Sequence, residues 1–138
     1  MVTYKGYCKQ NGLDPEKVFQ MVFGETGGIL PKEKGGFFGY MAEITDTSII
    51  CVNDQFGVKK EIPFSSFSEA CFGIGSGNLW LQCVVDDCPF TFCATRGMWK
   101  SPAAKLLLQK IGEYAQIEGM KEYKHFTGKL FLFYMLIR

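Results

Sequence analysis

The chain has 138 residues, 47% of them hydrophobic and 15% aromatic, with thirteen Phe. That length points to one domain with a terminal extension, and that apolar content excludes a disordered chain. Fifteen basic against fourteen acidic side chains leave a net charge of +1, so no global field recruits nucleic acid and none is expected as a partner.

Residues 1–36 make an N-terminal segment. Met1 to Gly12 is weakly patterned and is expected to be loosely held. Asp14 has the form of an N-cap, with Pro15 at the first helical position. Val18, Phe19, Val22 and Phe23 then predict the apolar face of a short helix that Gly24 ends. The Gly, Pro and Lys content of residues 25–36 reads as a connection, with Ile29 and Leu30 as anchors or a short strand.

From Phe37 the apolar period changes to two. Tyr40, Ala42 and Ile44 alternate with Met41 and Glu43, and a turn over Thr45 to Ser48 leads into a strand from Ile49 to Asn53. Pairing Ile44 with Ile49 sets Ala42 beside Cys51, so both apolar sets agree on one register. Pairing Asn53 with Val58 sets Ile62 opposite Ile49 and leaves Lys60 on the core side, a conflict unless that end is open to water. Pro63 marks an edge or strand end.

After a link from Ser65 to Ser68, Ala70, Phe72 and Ile74 form one strand face, and Gly75 to Asn78 reads as a four-residue hairpin loop. Leu79, Leu81, Cys83 and Val85 share that face. A two-residue Asp86-Asp87 turn sets Val85, Cys83, Leu81 and Leu79 opposite Cys88, Phe90, Phe92 and Ala94. The other face pairs Trp80 with Cys93 and Gln82 with Thr91. Trp99 is expected to plug the core. Ser101 as N-cap and Pro102 at the first position then start the best helix of the chain, expected over Ser101 to Ile117. Its stripe is Ala104, Leu107, Leu108, Ile111, Tyr114 and Ala115, and Gly119 is its expected stop.

No pattern here carries chemistry. Six cysteines (Cys8, Cys51, Cys71, Cys83, Cys88, Cys93) contain no C-x-x-C pair, and one histidine, His125, is present, so no zinc site is expected. The start of the chain shows no signal-peptide pattern, and reduced core thiols in a cytoplasmic protein are expected. His125 with Tyr123 lacks the nucleophile and orienting partner that acid–base work needs. Cys93 beside Trp80 lacks the adjacent cation of a reactive thiol. Asp86 and Asp87 are turn residues before they are metal ligands. Gly73, Gly75 and Gly77 lie between strands with no helix N-terminus to cradle a phosphate. Lys59, Lys60 and Lys100 are a solvated surface.

The run Met41 to Ile44, Ile49 to Val52, Gly57, Lys59-Lys60-Glu61-Ile62-Pro63-Phe64, Ser65-Ser66-Phe67, Gly73 to Leu79 and Phe90 with Phe92 before the helix resembles the pleckstrin-homology-like superfamily, in particular its bacterial versions. The similarity spans about residues 37 to 118 and rests on pattern. It implies a mainly β, α+β fold: a bent antiparallel sheet or incomplete barrel of six to seven strands capped by a C-terminal helix, with a short N-terminal helix ahead of it. It also implies a domain that binds rather than catalyses. The lipid-binding branch carries several Lys and Arg in the first hairpin loop. This chain has Thr45, Asp46, Thr47 and Ser48 there, so those headgroup residues have no counterpart.

Six strands are countable, and a seventh is sought near Ile29 and Leu30. Residues 37–119 form the expected domain, and residues 120–138 a tail that is basic from Lys121 to Lys129 and apolar from Leu130 to Ile137. A run this short cannot span a bilayer, and it must be hidden. The expected function is a non-catalytic interaction or scaffolding domain that binds a protein partner or itself as a dimer, through Phe131, Phe133, Tyr134 and Trp80, without cofactor or metal. A peripheral membrane module using the basic and apolar tail is the alternative, and a small-ligand-binding domain the weaker one.

Overall fold

The structure is a computed structural model and describes residues 4–21, 40–53, 57–75 and 78–126. Among them, eight strands form two four-stranded sheets, and the chain is mainly β with short helices, an open barrel of the α+β class. The first sheet runs β1 (Val18–Met21), β2 (Tyr40–Ile44), β3 (Ser48–Asn53), β4 (Val58–Pro63) in that order. The second is ordered β7 (Cys88–Cys93), β6 (Asn78–Val85), β5 (Phe67–Gly75), β8 (Ile117–Glu118).

The expected helix after Asp14 is a strand. Asp14 does cap, its carboxylate accepting from the Glu16 N–H at 2.9 Å, but it caps a single 3₁₀ turn, Pro15–Lys17, that leads straight into β1. Val18 and Phe19 explain why. Successive strand residues leave on opposite faces, and here both faces are covered. Phe19 points into the main core, while Val18 packs with Tyr7 and Cys8 beneath α1 (Tyr4–Asn11). Two adjacent apolar residues mimic a helical face when the strand between them is buried on both sides. Val22, Phe23, Gly24, Ile29 and Leu30 lie outside the described residues.

The segment expected to be loose is therefore the cover of the first sheet. Tyr7 and Cys8 of α1 are buried with Val18, Met41 and Val52 on the sheet's outer face. Gly12, at φ +64°, closes the helix, with the Leu13 N–H bonded to the Cys8 carbonyl at 2.9 Å. Tyr4 ties α1 to the strand, its hydroxyl donating to the Val18 carbonyl at 2.9 Å and meeting the Pro15 carbonyl as well. Burial first, then the neighbouring Cys8 and Asp14, pushes this phenol from its ordinary value near 10 up to about 12. The neutral form is the donor, so its contribution is complete below pH 10 and is lost as pH rises toward 12. Amide exchange in residues 4–11 should accelerate across that interval ahead of exchange in β2 and β3.

The hairpin registers are those the alternation predicts: Ile44 faces Ile49, Ala42 Cys51, Ile62 Ile49, Val85 Cys88, Cys83 Phe90, and Leu81 Phe92. Lys60 does pair with Cys51, and it resolves the conflict by lying exposed on β4 at the sheet edge. At the first hairpin, buried Ser48 donates to Glu61 at 2.6 Å and holds Thr45 at 2.9 Å. Asp86 and Asp87 both have positive φ, 49° and 64°, as a two-residue turn matching strand twist demands. Gly75 pairs with Asn78, so the next loop is two residues rather than four, and those two lie outside the described residues. Ala94 is buried just past the end of β7.

β5 starts three residues earlier than the alternation from Ala70 suggests. Its register shifts between Phe67 and Glu69, and the extra residue, Ser68, lets Phe67 and Ala70 both face inward. The inner faces of the two sheets meet through aromatic edges. The Phe19 and Phe92 centroids, one from each sheet, are 5.9 Å apart, and Phe92 in turn meets Phe90 of its own strand at 5.0 Å.

Helix α2 (Arg96–Trp99), capped by Thr95, delivers Trp99 to the core, and α3 (Pro102–Gly112) follows. Ser101 caps α3 as its sequence predicts, accepting from Ala104 N–H at 3.2 Å, with Pro102 in the first turn. Ala104, Leu107, Leu108 and Ile111 are buried against β1, β2 and β8, so the helix closes one end of the open barrel. It stops at Gly112, not Ile117. Tyr114 is 50% exposed and Ala115 is buried beyond the helix end. Ile117 and Glu118 form β8, which pairs in parallel with Ala70 and Cys71. Backbone groups of that segment find ladder partners there, and glycine inside a helix costs about 1 kcal/mol relative to alanine.

Gly119 is not the stop of α3. It sits at φ +79° between β8 and α4 (Met120–Phe126), where an added Cβ would lie 3.0 Å from Phe72 Cβ and 3.3 Å from its carbonyl oxygen. Left-handed backbone and close approach to β5 together require glycine. Gly119→Ala should cost about 2–3 kcal/mol, read as a lower urea midpoint at unchanged slope.

Candidate functional site

The two sheets differ on their outer sides. The first sheet's outer residues Val18, Met41 and Val52 are buried with α1. The second sheet's outer side presents Glu69, Cys71 and Gly73 from β5, Trp80, Gln82 and Val84 from β6, and Pro89, Thr91 and Cys93 from β7. Glu69, Cys71, Gln82 and Pro89 are exposed, whereas Trp80 and Val84 are half-buried.

Cross-strand register arranges these residues. Glu118 pairs with Cys71, Cys71 with Gln82 and Gln82 with Thr91, so one row of four side chains crosses all four strands. Beside it, Gly73 leaves room for Gln82, whose Oε1 would lie 3.8 Å from a Cβ placed there. The Ser68 bulge bends β5 at the row's other flank, its hydroxyl 3.4 Å from the Val84 carbonyl it donates to. The result is an open depression of about 500 Å³ floored by this row and rimmed by Ser68, Glu69, Val84, Pro89 and Gln116.

The residues singled out in the sequence fall as follows. Trp80 lies on this outer face opposite Cys93, as the register predicts. Phe131, Phe133 and Tyr134 lie outside the described residues, and so does the side chain of His125. Tyr123 is a structural donor: its hydroxyl gives a hydrogen bond to the Trp99 carbonyl at 2.9 Å, and its ring stacks on Phe72 at 5.2 Å. Burial pushes its phenol upward. Asp86 and Asp87 serve the turn, and Lys59, Lys60 and Lys100 are exposed on β4 and after α2. Sequence reasoning placed Gln82 beside Thr91 but missed Glu118, which β8 carries to the row. A helix assigned through Ile117 hid it.

All six cysteines are free thiols. Burial raises the Cys51 thiol to about 12 and Cys93 to about 11, and pushes Cys83 up further. Cys71 is the exposed one. A thiolate-selective alkylating reagent should therefore modify Cys71 first in the native chain, while Cys51 and Cys83 wait for unfolding. Peptide mass mapping at short times checks the order.

Among the described residues no three His, Cys, Asp or Glu side chains converge as a metal site, and no helix is long and apolar enough to cross a membrane. The chain matches no family model and no curated protein.

Proposed function

We propose that this chain is a non-catalytic interaction domain of pleckstrin-homology-like build that binds a protein partner, or a second copy of itself, through the outer face of its second sheet. The observation that carries this reading is the asymmetry between the sheets. The first is covered outside by α1, while the second exposes Cys71, Gln82 and Glu118 of its cross-strand row, with buried Thr91 at the row's end and half-buried Trp80 beside it. An exposed amide beside a half-buried aromatic ring on a rigid sheet suits recognition, because little side-chain entropy is lost on docking. Six free thiols suit a reducing compartment such as the cytoplasm.

Peptide display on the purified full chain tests this. Selected peptides should bind the wild-type chain and lose binding to Gln82→Arg, whose exposed site leaves the melting midpoint unchanged. A dimer in light scattering that Gln82→Arg dissolves supports the self-binding form. Binding that survives Gln82→Arg overturns the assignment, as does sedimentation with phosphatidylserine vesicles in the absence of any selected peptide.

A further inference from the structure

We infer that the groove on the second sheet accepts an extended peptide bearing lysine or arginine at alternate positions, an inference that rests on the interaction reading above and names its partner. Among the described residues that line the groove, the charged side chains are Glu69 and Glu118, both exposed. This one-signed lining attracts a basic segment and repels an acidic one.

Strand geometry sets the spacing. Glu118 stands in register with Cys71, and Glu69 lies two residues before Cys71 on the same face. With a rise of about 3.3 Å per residue and strands about 4.8 Å apart, the two glutamate Cα atoms are roughly 8 Å from each other. Alternate residues of an extended chain are about 6.7 Å apart, so side chains at i and i+2 reach one carboxylate each. Cys71 on the floor and Val84 on the rim give their aliphatic stems apolar contact, and Gln82 with Thr91 adds neutral donors and acceptors along the row. At about 500 Å³ the depression holds several side chains, and being open it lets a strand pass across where an enclosed pocket would stop it.

The experiment selects peptides from an unbiased display library on the full chain and measures the best one by fluorescence anisotropy. The enriched sequences should carry Lys or Arg two positions apart, and affinity should fall with added salt. The Glu69→Gln plus Glu118→Gln chain should bind about fivefold more weakly or worse, with an unchanged melting midpoint, while Glu113→Gln, at an exposed position just past the end of α3 and outside the groove lining, binds like wild type. Neutral or acidic peptides that lose binding to Gln82→Arg overturn the cationic assignment and leave the interaction surface standing. Equal binding to the double glutamine chain does the same. A library that yields no binder sensitive to Gln82→Arg overturns both.

Discussion

Trp99→Ala is expected to lower the unfolding free energy by about 3–5 kcal/mol, a large share of the roughly 5–15 kcal/mol that holds a domain folded. The side chain is fully buried, and three rings surround it: Phe19 at 5.0 Å, Phe72 at 5.5 Å and Tyr123 at 6.2 Å. Those rings come from β1, β5 and α4, so the cavity left by truncation would open where both sheets and the last helix meet. The indole also carries a cost. Among the described residues its Nε1–H meets no hydrogen-bond acceptor, and an unsatisfied buried donor costs about 1–3 kcal/mol. Trp99→Phe removes that donor while keeping one ring, and should cost well under half of the alanine change. Urea denaturation of both variants gives the comparison; equal losses would show that volume alone matters at this position.

Leu107→Ala is expected to cost about 2–5 kcal/mol, since Leu107 is fully buried on the α3 face that spans the two sheets. Lys105→Ala, on the exposed face of the same helix, should fall within about 0.5 kcal/mol of wild type. A small effect at Leu107 would mean that α3 is not part of the cooperative core. The two-sheet cluster of Ile44, Ile49, Ile62, Phe72, Leu81 and Phe92 would then be stable without its cap.

Elements whose faces differ were legible from the sequence. Ile44 with Ile49 and Cys83 with Phe90 could be paired because one face of each hairpin is apolar and its loop length fixes the register. Ser101-Pro102 announced α3 because capping is local chemistry. Residues whose partners are distant were not legible. Val18 and Phe19 are each buried by a different neighbour, α1 on one side and the core on the other, and that pairing erases the strand period. Ile117 and Glu118 make only a two-residue parallel ladder, too short for any periodicity, so helical spacing absorbed them. The Ser68 bulge exists to keep Phe67 and Ala70 facing the same core, a demand set by the opposite sheet. The candidate site inherits this division. Gln82 and Thr91 were visible as a pair, and the acidic end of their row depends on the hidden strand.

Backbone-amide NMR of the full chain, titrated with a display-selected peptide, tests the assignment of the binding surface most directly. The expected result is a set of shifts centred on Cys71, Gln82, Thr91 and Glu118, with Val18, Met41 and Val52 unmoved beneath α1. Shifts confined to the first sheet and α1, with the cross-strand row unmoved, would contradict it.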